Sequence, residues 1–297
     1  MIEINKMDIR SLYYFLVIAR EGSFTKAAEA LHMTQPPLSR QIRELENDLG
    51  VELFDRSGKR IALTDEGVIL RERAQEVIDL MEKIRDEVAL DAEGIAGEVR
   101  IACGESDAVS LLASAAKRLQ VLHPNIRYRL LSGDGDFVDE QLQRGAADIG
   151  LLVTDTVDGE KYDYTRLPLN DRWGILMKRD DALAKKRVIK LEDIVDAPLI
   201  LPYRAALSSD LMSWFEQQKT TLNIVATYDL AYNASRFAKE GFGYVVALDG
   251  IVETGGRSEL IFRPLSPTLT ASLFVVWRKG IRLSRAASMF LNELDCT

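Results

Sequence analysis

The sequence is short of the residues that most enzyme chemistry needs. Its 297 residues include two cysteines, Cys103 and Cys296, and two histidines, His32 and His123. Two cysteines cannot build a disulfide framework or a four-ligand zinc site by themselves. Two histidines leave little for metal binding or histidine-based catalysis. No metal and no cofactor is therefore expected. Long apolar runs are also missing. None approaches the ~18 residues of a membrane span. The stretch Met1–Ser23 is helix-periodic, ends in charge and lacks a small-residue cleavage pattern, so it does not read as a signal peptide. The expectation is no membrane association and a cytoplasmic location. An excess of positive charge is absent as well: 38 basic residues stand against 46 acidic ones, a net charge of -8. That excludes a general nucleic-acid coat but not a small local patch.

Enzyme motifs are absent too. Gly104-Glu105-Ser106 lacks the second glycine of a nucleophile elbow. Gly241-Phe242-Gly243 leads into a strand pattern instead of opening a helix, and no phosphate loop with Gly-Lys-Ser/Thr is present. No enzymatic activity is expected. What the chain does have is an ordinary globular composition, with 47% hydrophobic and 28% charged residues. Its length suits two domains, or three counting a small one. The pattern changes near residues 90–98, from almost wholly helical to short β-rich runs alternating with helices.

In the first region Asp8 is placed to cap a helix with Leu12, Phe15, Leu16 and Ala19 on one face, stopped by Gly22. Ser23 caps a second helix, with Ala27, Ala28, Ala30 and Leu31 inward. Thr34 caps a third, Gln35 to about Leu49, with Pro36 and Pro37 in the first turn and Leu38, Ile42, Leu45 and Leu49 buried. Gly50 ends it. Leu53–Arg56 and Arg60–Leu63 form a hairpin through Ser57-Gly58-Lys59. Thr64 caps a long helix reaching about Asp91. Its Leu70, Ala74, Val77, Met81, Ile84 and Val88 are spaced 4, 3, 4, 3, 4, a heptad seam. No neighbouring element is left to cover that stripe, so dimerisation is favoured over packing within its own domain.

From Glu98 onward the runs alternate between strand and helix. Strands are expected at Val99–Cys103, Ile126–Leu131, Ile149–Val153, Trp173–Met177, Leu199–Leu201, Ile224–Tyr228, Tyr244–Leu248 and Leu273–Trp277. Helices are expected at Ala108–Leu122, Phe137–Arg144, Ser209–Gln217, Asn233–Lys239 and Arg282–Leu294. This alternation calls for parallel sheets covered on both faces. Two such sheets fit the length, with 154–168 and 264–272 as crossovers.

Helix, tight turn, helix and basic hairpin make a winged helix-turn-helix. The third helix offers its amino-terminal side chains to a major groove. Thr34, Gln35, Pro37 and Ser39 point outward, since Leu38 and Ile42 point in. Gln35 can pair bidentately with adenine and Pro37 can touch a thymine methyl. Arg40 and Arg43 suit phosphates. Arg56, Lys59 and Arg60 gather at the wing, where they can meet the backbone or minor groove. A purely structural three-helix module with solvated charges stays open, because residues 1–66 hold nine basic and eleven acidic residues.

The stretch Ser23-Phe-Thr-Lys-Ala-Ala-Glu-Ala-Leu-His-Met-Thr-Gln-Pro-Pro-Leu-Ser-Arg-Gln-Ile-Arg-Glu-Leu-Glu46, with Leu49–Arg56 and Leu63–Gly67, closely resembles the amino-terminal domain of LysR-type transcriptional regulators. The later pattern resembles the rest of that family. The resemblance implies a winged helix-turn-helix domain over 1–66, a linker and dimerisation helix over 67–93, and an effector-binding domain over 94–297. The last comprises two Rossmann-like α/β subdomains similar to periplasmic binding proteins, one from about 94–165 and 268–297, the other about 166–267. It further implies that Thr34, Gln35, Pro36, Pro37, Ser39 and Arg40 approach DNA, that Arg56 sits in the wing, and that linker helices pair into dimers that assemble as tetramers. The expected partners are a pseudo-palindromic double-stranded DNA site, a small-molecule effector, a second copy of the chain and RNA polymerase.

Two such lobes leave a cleft at the carboxyl ends of their strands, where helix amino-termini offer N–H groups to anions. The strand ends here supply Glu105, Ser106 and Asp107; Gly135 and Asp136; Tyr203 and Arg204; and Asn233. By the resemblance, a hydroxyl at Ser106 takes part in ligand binding, while Gly135 stands where the family often has a second Ser or Thr. That departure and the nearby Glu105, Asp107, Asp134 and Asp136 favour a polar or cationic effector over a dianion. Arg204 and Arg236 argue the other way, since either can hold a carboxylate. Plainer readings stay open: loop Asp and Gly form turns first, Ser106 caps a helix, and Cys103 is a core residue. Two rival functions remain at this stage, a small-molecule binding protein with a protein-contacting helical domain, and an enzyme of periplasmic-binding-protein fold.

Overall fold

A computed structural model describes residues 8–55, 61–88, 95–203, 210–216 and 222–295. The chain divides into two compact units, Met1–Leu90 and Asp91–Thr297.

The first unit starts with helix α1 (Ile9–Glu21). The Asp8 carboxylate accepts from the Ser11 N–H at 2.6 Å, and Gly22 closes the helix at φ +60. Ser23 caps α2 (Phe24–Ala30) by accepting from Lys26 N–H. Helix α3 (Gln35–Leu49) has the two prolines in its first turn and ends at Gly50, φ +70. Thr34 stands at its cap position without a side-chain hydrogen bond. Strands β1 (Phe54–Asp55) and β2 (Ala62–Leu63) pair antiparallel, Phe54 opposite Leu63. Helix α4 (Asp65–Val88) follows, capped by Thr64, whose Oγ1 accepts from Gly67 N–H at 3.0 Å.

The core gathers Leu12, Phe15, Ile18, Ala27, Leu38, Ile42, Leu45 and Phe54, with the Phe15 and Phe54 rings 5.2 Å apart. Four expectations need correction. On α2, Ala30 is exposed and Leu31 only partly buried, because the helix ends there. On α1, Val17 and Ile18 are buried, while Leu16 and Ala19 are only partly so. Leu49 is exposed, because it is the last residue before the cap and has passed the core. The stripe on α4 is divided. Leu70 and Ala74 pack into this core, where α1 lies against α4. Among the described stripe residues, Val77, Met81 and Ile84 are left exposed, at 38%, 41% and 45%. The Val88 side chain and the expected end at Asp91 lie outside the described residues.

The second unit contains β3 (Gly97–Cys103), α5 (Val109–Leu122), β4 (Ile126–Ser132), α6 (Gly135–Gln143), β5 (Ile149–Val153) and β6 (Tyr162–Lys178). Then come β7 (Ile189–Lys190), β8 (Leu199–Pro202), α7 (Asp210–Glu216), β9 (Ile224–Tyr228), α8 (Ala231–Lys239), β10 (Tyr244–Leu248), β11 (Leu260–Ser266), β12 (Thr270–Arg278) and α9 (Arg285–Asp295). In the first lobe β4, β3 and β5 are parallel neighbours. Helices α5 and α9 cover one face and α6 the other. In the second lobe β10, β8 and β9 are parallel. Leu199 and Leu201 face α7 while Ile200 between them faces α8, the alternation of a strand buried on both sides.

The crossovers are strands themselves. β6 runs the length of both lobes, and β12 pairs with it antiparallel from Thr270 opposite Arg172 to Arg278 opposite Tyr162. Residues 162–168 are therefore sheet, and so are 264–266 and 270–272. The lobes are mixed sheets, because β12 lies antiparallel to β5 and β6, and β10 and β11 lie antiparallel to β6. Strands β7 and β11 were not expected. Charged residues and Pro168 interrupt the apolar alternation of β6, which is why its first half reads as a loop.

Candidate nucleic-acid interface and effector cavity

The turn between α2 and α3 is made at His32, φ +53, where Gly is the usual residue. His32 N–H donates to the Glu29 carbonyl and Met33 N–H to that of Ala28. This turn presents the start of α3 to solvent. Thr34, Gln35, Pro36, Pro37, Arg40 and Arg43 are exposed and Ser39 is half-buried, above the buried Leu38 and Ile42. Two of these side chains are held in place. Gln35 Nε2 donates to Ser39 Oγ at 2.6 Å, and Arg40 Nε lies 3.0 Å from Glu44 Oε1. Lys26, on the first turn of α2, is also exposed. Arg56, Lys59 and Arg60 lie outside the described residues.

Between the lobes of the second unit is a cavity of about 480 Å³. The first lobe contributes Gly104, Glu105, Gly133, Asp134, Gly135 and Thr154–Thr156. The second contributes Trp173, Pro202, Tyr228, Asp229, Ala231 and Ile251. Four carboxylate residues line it, Glu105, Asp134, Asp155 and Asp229, and no lysine, arginine or histidine does among the described lining residues. Two helix amino-termini that face it are already occupied. Asp134 caps its own helix, accepting from Phe137 N–H at 2.9 Å. The Glu105 carboxylate accepts from the Ala231 N–H at the start of α8. Burial raises its pKa, and the hydrogen bonds from Ala231 and Tyr232 N–H lower it. Tyr228 donates its hydroxyl to the Val246 carbonyl at 2.8 Å, and burial, with the charge of Glu105, pushes its pKa up.

Of the residues expected at the effector site, Glu105 and Gly135 are on the cavity wall. Ser106 is turned inward and 8% exposed. Its Oγ accepts from Ala108 N–H at 3.0 Å and its hydroxyl is hydrogen-bonded to Asp171. Asp107 and Asp136 are exposed outside the lining, and Tyr203 is 52% exposed. Asn233 lines a separate pocket of about 320 Å³ with Asp229 and Phe237. Arg204 lies outside the described residues. Arg236 lines a surface pocket with Lys239 and Arg257, away from the carboxylates of the cavity. Sequence reasoning missed Trp173, Tyr228 and Asp155. Tyr228 could have been found, since it ends a strand just before a helix; Trp173 is mid-strand and gave no signal. Cys103 is buried in the first-lobe core and burial raises its thiol to about 11, so it stays protonated and unreactive. No helix among the described residues is long and apolar enough to cross a membrane.

Comparison with known proteins places both regions. The model of the bacterial regulatory helix-turn-helix protein, lysR family, matches residues 9–68. That of the LysR substrate binding domain matches residues 92–296. The Hca operon transcriptional activator HcaR of Escherichia coli is 28% identical over 281 residues, covering 92% of this chain and 93% of its own. The HTH-type transcriptional regulator BsdA of Bacillus subtilis is 29% identical, covering 96% and 99%. The fold matches the crystal structure of CbnR, a LysR family transcriptional regulator, with a TM-score of 0.78, 21% identity and coverage of 98% and 99%. A structure of full-length CbnR complexed with its target DNA gives the same figures. With both family models matched in order along its length, the chain belongs to the LysR family of transcriptional regulators, which bind DNA through a helix-turn-helix domain, carry an effector-binding domain and are not enzymes.

Proposed function

We propose that this regulator senses a cationic or polar neutral small molecule in the cavity between its lobes. The observation that carries the reading is the charge of the wall: four carboxylate residues with no basic residue among the described ones. Trp173 and Tyr228 add aromatic surface, which favours an ammonium or guanidinium group by cation–π attraction. A ligand carboxylate entering the same space would be desolvated among like charges.

The remaining parts follow. Gln35 and Pro37 read base edges, with Thr34, Pro36 and Ser39 seating the helix. Arg40 and Arg43, with Arg56, Lys59 and Arg60 of the wing, hold phosphates. Val77, Met81 and Ile84 pair two α4 helices, so a dimer, and in turn a tetramer, presents recognition helices to a pseudo-palindromic site. The effector acts by binding one arrangement of the lobes better than the other. That shift moves the DNA-binding pairs and changes how the complex meets RNA polymerase in the cytoplasm.

Selection of bound fragments from sheared genomic DNA, at about 150 mM salt where non-specific binding is weak, tests the assignment. One or a few enriched sites are expected, and the genes beside them nominate the effector. A thermal-shift panel of amines against matched carboxylates then tests the chemistry. Stabilisation by carboxylates alone overturns the cationic reading.

A further inference from the structure

Helix α8 begins without a cap of its own. Its cap residue is Leu230, which has no side-chain oxygen, and no side chain at that position closes the first turn. Its first N–H groups would be orphaned, a cost that helix amino-termini usually avoid with Ser, Thr, Asp or Asn. The acceptor comes instead from residue 105 in the other lobe, 126 positions earlier in the chain. The Glu105 carboxylate takes the Ala231 N–H, with the Tyr232 N–H alongside. Helix α6, at the same cavity, is capped by its own Asp134. Two helices thus open on one cavity and are capped in opposite ways, one locally and one across the cleft.

The charge balance is the second observation. Glu105 is half-buried, and no cation lines the cavity among the described residues. Among the described residues, the positive partner the structure gives it is the helix end, roughly half an elementary charge.

We propose that Glu105 is a built-in carboxylate ligand of α8: it ties the two lobes together and excludes anionic effectors from the helix amino-terminus by occupying it. The exclusion of anions matters to effector choice only if the cavity is the effector site, as proposed above. The tie itself is independent of that reading.

The test uses the full-length chain and acetate as the probe, with chloride as the control at equal ionic strength. Glu105→Ala removes the cap and leaves the helix end open. Its thermal midpoint should fall by about 2–4 °C, the size expected for one lost cap. Acetate should then restore the midpoint saturably in Glu105→Ala and leave wild type unmoved. Glu105→Gln keeps an acceptor oxygen without the charge, so it should fall less and gain nothing from acetate. Amide exchange at Ala231 and Tyr232 should quicken about fivefold in Glu105→Ala, as loss of a ~1 kcal/mol hydrogen bond implies. Unchanged exchange at both amides in Glu105→Ala overturns the tie. Equal stabilisation of wild type and Glu105→Ala by acetate overturns the exclusion of anions. If Glu105→Ala does not fold, Glu105→Leu, which also lacks an acceptor but keeps side-chain volume, carries the exchange measurement under the same criterion. None of these outcomes depends on DNA binding or on a natural effector, so the regulator assignment stands or falls separately.

Discussion

Arg100 and Asp148 hold β3 against the start of β5 through one carboxylate oxygen. The Arg100 N–H donates to Asp148 Oδ2 at 3.0 Å, and Arg100 Nε lies 3.5 Å from the same atom. The Asp148 N–H returns a bond to the Arg100 carbonyl at 2.8 Å. The two side chains are 8% and 1% exposed. Burying two charges is expensive, and leaving one without the other is worse. Asp148→Ala should therefore cost about 3–5 kcal/mol, while a paired change to Met at 100 and Leu at 148 should recover much of it. Urea unfolding followed by circular dichroism reads both. Equal losses in the single and double variants would mean that the packing, and not the charge, is what the site needs.

Arg40 is exposed and already paired with Glu44, at 82% and 50% side-chain exposure. Such a pair adds little to the fold. It does place a carboxylate beside the guanidinium proposed above to meet a phosphate. Arg40→Ala should weaken binding to all DNA and lower the salt slope by about 1. Glu44→Ala should do the opposite, tightening binding about two- to fivefold at low salt, with the gain fading as salt screens the repulsion. Gln35→Ala should instead relax base choice at one position with the salt slope unchanged. Fluorescence anisotropy across a salt series separates the three. A Glu44→Ala protein that binds more weakly would remove Arg40 from the phosphate contacts.

On α4, two positions one heptad apart on the same stripe face different surroundings. Ala74 is 1% exposed in the core of its own unit, and Met81 is 41% exposed. Ala74→Leu should overpack that core and cost about 1–3 kcal/mol. Met81→Lys should leave folding intact and shift sedimentation toward the monomer, since a charge at an apolar seam opposes pairing. An unchanged sedimentation coefficient for Met81→Lys at micromolar concentration would move the self-association surface elsewhere.

Local signals explain what the sequence made legible. Asp8 and Ser23 cap α1 and α2, and Gly22 and Gly50 end α1 and α3, because a cap needs only neighbours three or four residues away. The strands Ile149–Val153, Ile224–Tyr228 and Tyr244–Leu248 are short apolar runs bounded by turn residues, and they match residue for residue. The cavity was harder to read. Ser106 sits at a strand end, where a ligand hydroxyl belongs, yet its Oγ turns inward to a backbone N–H two residues on. Glu105, beside it, satisfies a helix 126 residues away, and nothing in a local window signals that. The long strands β6 and β12 pair across the two lobes, so their register is a property of the whole sheet. The start of the α4 stripe, Leu70 and Ala74, looked unpartnered because α1, which covers it, lies far earlier in the chain.

Asp171 should make stability depend on pH. Its residue is 6% exposed and its Oδ2 has no hydrogen-bond partner. Burial raises its pKa most, and the charges of Asp107 and Asp249 add to that, against the hydrogen bond from Ser106, which lowers it. Arg172, the nearest cation on the same strand, is spent on Asp249 at 2.7 Å. A carboxyl whose pKa is higher folded than unfolded favours folding while protonated. That contribution is complete below the ordinary aspartate range, ~3.9, and is lost as pH rises through the raised folded value. Asp171→Asn keeps an acceptor for Ser106 and never ionises. Its thermal midpoint at neutral pH should exceed wild type by about 2–4 °C, the size of a 1 kcal/mol gain in a domain of this length. The two curves should converge as the pH falls toward ~4, where the wild-type carboxyl is neutral as well. A variant less stable than wild type throughout that range would mean that the ionised form of Asp171 is the one the fold uses.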